Sequence, residues 1–280
     1  MPARSIVTAR QQRLGAELRK LRERAGLTAR EAARAAGIAE SKVSMTEAGR
    51  VGVSAERVRH LASQYACDDA ALVDALVAMA IERGRGWWED YRGRVPIGYL
   101  DLAELEAHSA HLRTFESVHI PGLLQTEHQV RAIFARSVPR LSEEELETRV
   151  QFRLRRQEVL AGLRYEALIH EAALRIRVAD RKVAREQLLW LLERSELTNV
   201  TIRVVPFDVD GFAGVVDPAT YSGGPVPRLD TVMVDSQHGC AFLDAEAQLA
   251  RYREVLRKVE AAALGVVESR KLIHQLAQDI

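Results

Sequence analysis

The sequence has few of the residues and segments that mark membrane, exported or metal-binding proteins. Its two cysteines, Cys67 and Cys240, lie far apart and form no metal-ligand motif, so we expect reduced thiols and no bound metal. No apolar run approaches the roughly 20 residues that a membrane helix needs. The N-terminus also lacks the apolar core of a signal peptide. These absences predict a cytoplasmic protein without a membrane partner.

Catalytic signatures are also scarce. The eight histidines form no H-E-x-x-H motif, and neither a phosphate-binding glycine loop nor a nucleophile elbow occurs. His170 and Glu171 adjoin at a predicted strand end, where neighbouring side chains point to opposite faces. Asp208 and Asp210 lack the further ligands of a calcium loop. We therefore expect no enzyme, no cofactor and no metal site.

Charge is unevenly distributed along the chain, although the net charge is only +1. Residues 1–66 contain 13 Lys or Arg and 6 Glu, a balance of +7, so the remaining residues carry −6. A basic segment attached to an acidic one is typical of a DNA-reading domain joined to a domain that does not bind DNA. The length of 280 residues indicates about two domains.

Residues 27–50, LTAREAARAAGIAESKVSMTEAGR, predict two short helices around a tight turn. Thr28 and Glu31 have the spacing of a capping box at the first helix start. Gly37 supplies the turn, and a second helix is expected from Glu40 to Glu47, ending at Gly49. Helix, glycine turn and helix at this spacing predict a helix-turn-helix, whose second helix lies in the DNA major groove.

The flanking segments extend this pattern to a bundle of five helices. Leu14, Leu18 and Leu21 form an apolar stripe upstream, and residues 54–66 and 68–83 predict two helices downstream. The stretch from about Gln11 to Ala66 resembles the lambda-repressor-like (XRE, Cro/cI) helix-turn-helix family. The marks are L-R-x-L-R-E-x-x-G-L-T and the E-x-G-R ending at Arg50. In this family Ser or Thr usually caps the recognition helix, where this chain has Ala39.

The predicted recognition helix supplies the candidate DNA contacts. Its N-terminal half faces base edges in this docking geometry. The candidate base-reading residues are Glu40, Ser41, Lys42, Ser44 and Met45. Phosphate contacts fix register without reading sequence. The candidate phosphate-binding residues are Thr28, Arg30, Arg34 and Arg50.

After a predicted Gly- and aromatic-rich linker at residues 83–98, the pattern becomes mixed. Residues 1–82 and 99–280 are the predicted domains. The second domain is expected to contain helices at 99–115 and 142–163, among others, and four strands. The strands are expected at Tyr165–His170, Val200–Val205, Phe212–Val216 and Thr231–Val234. The predicted fold is therefore a mainly α bundle of five helices followed by an α+β domain with a small, largely antiparallel sheet covered by helices.

This second part resembles the C-terminal domain that follows a helix-turn-helix in many actinobacterial regulators. The marks are Trp87-Trp88, I-P-G-L-L-Q-T from Ile120, R-x-x-R-Q from Arg153, H-E-A-A-L-R from His170, Q-L-x-x-L from Gln187 and V-V-P-F from Val204. The aromatics could form an interdomain plug or the wall of a ligand or partner pocket. The candidate pocket residues are Trp87, Trp88, Tyr91, Phe115, Leu123 and Leu124.

The combined features predict a cytoplasmic, nucleoid-associated transcription regulator. We expect a homodimer on double-stranded DNA, because one such domain alone binds weakly and two-fold operators match two-fold proteins. We expect the second domain to dimerise and to sense a small molecule or a protein; the resemblance implies pairing with a small neighbouring protein and names no ligand. Two alternatives stay open: an antitoxin-like interaction module that autoregulates, and a metal-free enzyme that uses the aromatic pocket.

Overall fold

The computed structural model describes residues 7–82, 86–210, 212, 217–236 and 239–280. The chain forms two compact units, Met1–Gly86 and Trp87–Ile280. None of the helices in the described segments combines the length and the apolarity that crossing a bilayer requires.

The described part of the first unit is helical. Polar side chains at Thr8, Thr28, Ser54 and Asp69 cap four of the helices by accepting a backbone N–H that no helical carbonyl reaches. Leucine, valine and alanine side chains from the helices fill the core between them. The helices are α1 (Ala9–Arg24), α2 (Ala29–Ala35), α3 (Glu40–Glu47), α4 (Ala55–Gln64) and α5 (Ala70–Ile81).

The second unit is built on a six-stranded mixed sheet, so the prediction of a small, largely antiparallel sheet was wrong. The strands are β1 (His111–Glu116), β2 (Arg164–His170), β3 (Val200–Val205), β4 (Ala219–Gly223), β5 (Thr231–Ser236) and β6 (Gly239–Leu243). Their order in the sheet is β3-β2-β1-β4-β5-β6. The pairings of β1 with β2 and of β2 with β3 are parallel, and the other three pairings are antiparallel.

Helical crossovers explain the parallel half of the sheet, because parallel neighbours need a long connection. The chain passes through two helices between β1 and β2, and through two more between β2 and β3. The helices of this unit are α6 (Ile97–Ala107), α7 (Glu127–Phe134), α8 (Glu143–Arg156), α9 (Glu171–Arg175), α10 (Arg181–Arg194), α11 (Glu246–Ala262) and α12 (Val266–Asp279). Short 3₁₀ turns cover Trp87–Tyr91, Gly122–Leu124, Gln157–Ala161 and Pro227–Leu229.

The helix predicted at 99–115 ends early, and its last third is the central strand β1. Ser109 Oγ donates to the Leu105 carbonyl at 2.7 Å, and His108 Nδ1 lies 2.7 Å from the Glu104 carbonyl, so side chains satisfy the helix end. The predicted helix at 142–163 ends at Arg156 and continues as a 3₁₀ turn. The strand predicted at Phe212–Val216 lies outside the described residues except for Phe212.

The two faces of the sheet pack against different helices. On one face Leu112, Tyr165 and Ile202 contact apolar side chains of α10 and α12. On the opposite face Phe115 and Leu168 contact α11. Alternation along each strand therefore sends neighbouring residues to separate cores.

Candidate nucleic-acid interface

The second helix of the predicted helix-turn-helix, α3, presents one face to the core and one to solvent. Val43 is buried, and Met45 and Thr46 are half-buried. Ala39 occupies the N-cap position and makes no side-chain cap hydrogen bond. The exposed residues are Glu40, Ser41, Lys42 and Ser44.

Two glycines allow α3 and the chain after it to approach α1 closely. A Cβ added to Gly15 would lie 2.3 Å from the Glu47 carbonyl oxygen, a distance that no real Cβ tolerates. Gly49 has φ +70°, and a Cβ there would lie 2.8 Å from the Gln11 carbonyl oxygen. The backbone of α1 therefore sets the position of the C-terminal end of α3.

A buried ion pair fixes the same end of α3. Arg22 on α1 donates from Nε and Nη2 to the two carboxylate oxygens of Glu47, at 2.7 and 2.9 Å. Its Nη1 donates to the Leu27 carbonyl at 2.7 Å. Both side chains are about nine-tenths buried. This one guanidinium connects α1, α3 and the start of the turn before α2, and bidentate geometry makes the contact directional.

The turn before α3 is fixed from both sides. The Gly37 backbone has φ +64°, in the left-handed region that glycine adopts at little cost. Arg57 on α4 donates from Nη1 to the Ala36 carbonyl at 3.0 Å. Thr28 and Glu31 form the predicted capping box. The Thr28 hydroxyl donates to Glu31 at 2.7 Å, so its proton is already used within the protein.

Several basic side chains of α1 are paired with acids, whereas those of the candidate DNA contacts are not paired within the described part of this unit. Arg13, Arg19 and Lys20 on α1 are ion-paired with Glu17 or Glu23. The exposed basic residues whose side chains make no ion pair or hydrogen bond within residues 7–82 include Arg30, Arg34, Lys42 and Arg50. Cations without an internal partner are available to phosphates or base edges.

The residues predicted to line a pocket in the second unit lie in three different clusters. Trp87, Trp88 and Tyr91 pack with Phe152 of α8 and with α6. Phe115 belongs to the core between the sheet and α11. Leu123 and Leu124 belong to the core on the opposite face of the sheet. The structure brings the three aromatics together, and it places the other three residues elsewhere.

Sequence reasoning missed a network that holds the I-P-G-L-L-Q-T segment, residues 120–126. Gln157 Nε2 donates to the Gly122 and Gln125 carbonyls at 3.0 and 2.8 Å. Gln187, which is 2% exposed, donates to the Leu124 carbonyl and accepts from Thr126 N–H, both at 2.8 Å. The sequence contained a signal for this network, because Gln157 ends the R-x-x-R-Q motif and Gln187 begins the Q-L-x-x-L motif. A glutamine side chain can both donate to and accept from the backbone of a loop.

Titratable groups are also buried beside α6 and α8. Arg156 Nε lies 2.9 Å from Glu106 Oε2, but the contact lacks hydrogen-bond geometry. Burial raises the pKa of Glu106 to about 7 against the opposing effect of Arg156. Burial also raises the pKa of Glu116 to about 7 and lowers that of Arg153 to about 10. Within the described residues, no three His, Cys, Asp or Glu side chains are placed to hold a metal ion.

Comparison with known families finds a match in each unit. A family described as a helix-turn-helix domain matches residues 13–76. A family described as a domain of unknown function (DUF5753) matches residues 99–275, more than half of the chain. The chain matches no curated protein and no solved structure.

Proposed function

Since the chain belongs to the DUF5753 family, whose description states no activity, we propose a function from its helix-turn-helix unit: sequence-specific DNA binding in transcription regulation. We also propose that this unit belongs to the lambda-repressor-like helix-turn-helix family. Base edges are read by Glu40, Ser41, Lys42, Ser44 and Met45. Phosphates are held by Arg30, Arg34 and Arg50, whereas Thr28, predicted as a phosphate contact, donates from its hydroxyl and its N–H to Glu31 and caps α2.

One observation carries the proposal. The inner and C-terminal contacts of α3 are fixed by Gly15, Val43 and the Arg22–Glu47 pair. Its N-terminal half exposes donors and acceptors, and the Lys42 ammonium among them makes no ion pair or hydrogen bond within residues 7–82. A rigidly held helix with an exposed polar face is what reading base edges in the major groove requires.

We extend the proposal to a homodimer on a two-fold operator, with half-sites about 34 Å apart. The second unit then senses a small molecule or a partner protein. Its motif glutamines hold residues 120–126 against the helices, which gives the unit a rigid frame for such a role. Purification of the protein bound to a small partner but without DNA affinity would favour the antitoxin-like module instead.

The test is selection of bound fragments from random duplex DNA, followed by affinity measurements on the selected sequence. Lys42→Ala should weaken binding about tenfold, since a good side-chain contact to a base discriminates by about 1–3 kcal/mol. Lys271→Ala, which removes the same charge from an exposed position on α12, is the matched control and should bind as the wild type does. Selection that enriches no sequence would contradict the proposal.

A further inference from the structure

The two edge strands of the sheet, β3 and β6, differ in the hydrogen bonds that their backbone groups make outside the sheet. At the β3 edge, the Val204 carbonyl accepts from Leu264 N–H at 2.8 Å, and Val204 N–H donates to Ser269 Oγ at 2.9 Å. Arg203 adds a hydrogen bond to the Leu264 carbonyl at 3.0 Å. Residues 264–269, from the end of α11 into α12, therefore cover the β3 edge at Val204 with the protein's own donor and acceptor.

The β6 edge has no such cover among the described residues. Cys240 to Leu243 pair with β5 on one side, and their backbone groups make no other hydrogen bond within the part of the chain that the structure describes. The strand sequence Gly-Cys-Ala-Phe-Leu contains no charge and no proline. Proteins usually protect an open sheet edge with charged residues or proline, because unpaired backbone groups can pair with a strand of another chain.

Exposed apolar residues occur on β6 and at the start of α6, whose Gly98 lies close to β6. Ala241 is exposed on β6, and Ile97, at the start of α6, is 58% exposed. The next residue, Gly98, approaches β6 so closely that an added Cβ would lie 3.5 Å from Cys240 Sγ. We call β6 together with Ile97 the β6 surface. It combines open backbone hydrogen-bonding groups with an apolar side chain that solvent does not favour.

We propose that the β6 surface is the homodimer interface, in which β6 pairs antiparallel with β6 of a second copy to make one continuous sheet of two copies. The inference rests on the homodimer of the proposed function and deepens it by naming the surface.

A second copy fits this surface better than a different protein does. Antiparallel pairing of identical strands has two-fold symmetry, so one interface satisfies both open edges at once. The uncharged strand can face itself without like-charge repulsion. The resulting two-fold axis is also the symmetry that a two-fold operator demands.

Charge complementation tests the inference in the absence of DNA. Ala241→Lys and Ala241→Glu each place like charges near the two-fold axis, and each should weaken dimerisation about tenfold or more in sedimentation. An equimolar mixture of the two variants should recover a heterodimer. Ala135→Lys, at an exposed helix end in the same unit, is the control and should dimerise as the wild type does.

Ile97→Glu provides an independent variant, since a glutamate in the first turn of α6 favours the helix and is accommodated at an exposed site. It should weaken dimerisation with unchanged circular dichroism. A monomeric wild type, or Ala241 variants that both dimerise with wild-type affinity, would overturn the β6 interface. Neither outcome bears on DNA binding by α3, which a single half-site measures separately.

Discussion

Each unit contains a buried arginine–glutamate pair, and the two pairs differ in how completely they are hydrogen-bonded. Arg22 and Glu47 make two hydrogen bonds to each other, and the guanidinium makes a third to the Leu27 carbonyl. Arg156 Nε approaches Glu106 Oε2 to 2.9 Å without hydrogen-bond geometry, and neither atom has another hydrogen-bond partner among the described residues. Desolvation consequently dominates at Glu106, whose pKa is raised to about 7.

The difference shows what a buried pair can do in each setting. A fully hydrogen-bonded pair fixes geometry, and the Arg22–Glu47 pair fixes the helix that we propose to read DNA. In a buried pair without those hydrogen bonds, the attraction between the charges offsets little of the free energy lost on desolvation. The Glu106–Arg156 pair therefore makes the stability of the second unit depend on pH near neutrality.

The largest effect is expected for Arg22→Ala, which leaves Glu47 buried without its partner. Breaking a buried pair in this way costs about 3–5 kcal/mol. Hydrogen exchange of the α3 backbone amides should accelerate accordingly, and DNA affinity should fall with it. Arg19→Ala on the same helix removes an exposed pair with Glu23 and should leave exchange nearly unchanged. Equal protection in the two variants would show that the pair does not hold α3.

The next effect is the pH dependence set by Glu106. Its pKa is about 7 in the folded protein and 4.5 ordinarily, so the folded state binds more protons between these values. The contribution of Glu106 to the free energy of unfolding should therefore fall by on the order of 3 kcal/mol as pH rises through this window, and Glu116, whose pKa is also raised to about 7, adds a fall of the same sign.

Glu106→Gln removes the contribution of Glu106 and leaves that of Glu116, so the variant should fall less steeply and gain stability relative to the wild type between pH 5 and about pH 7. Trp87, Trp88 and Trp190 are the only tryptophans of the chain, and all lie in the second unit, so their fluorescence reports its unfolding. Glu158→Gln, at an exposed position, is the control and should follow the wild type. Parallel stability curves for wild type and Glu106→Gln would contradict this explanation.

The smallest effect is expected for Arg34→Ala. We propose that Arg34 contacts a phosphate, so its loss should weaken binding to all sequences similarly. The slope of log affinity against log salt should become shallower by about one. Arg59→Ala on α4, where Arg59 lies 4.0 Å from Asp74, should leave the slope unchanged. A loss of affinity confined to the selected sequence would show that Arg34 reads bases.

Local features were predictable from the sequence, and long-range partners were not. The α3 bounds, Glu40–Glu47, and the β3 bounds, Val200–Val205, match the predictions because capping, glycine and alternation signals are local. β1 was predicted as helix because Leu105 and Leu112 continue a helical spacing across the break at Ser109. The Arg22–Glu47 pair joins residues 25 positions apart, and one sequence offers no signal for such a contact.

The pocket prediction illustrates the same limit. Trp87, Trp88 and Tyr91 are neighbours in sequence and pack together. Phe115 and Leu123 are also near each other in sequence, yet they lie on opposite faces of the sheet. Their separation follows from β1, which the sequence reading assigned to a helix. When a strand is predicted as a helix, the directions of its side chains are therefore predicted wrongly as well.

Photocrosslinking tests the central claim most directly. A photoreactive amino acid at Ser44, on the exposed face of α3, is illuminated with the selected duplex, and the crosslinked nucleotides are mapped. A photoreactive residue at Ser63, exposed on α4, serves as the comparison. We expect crosslinks from position 44 to bases within each half-site and few from position 63. Crosslinks from position 63 with none from position 44 would contradict base reading by α3.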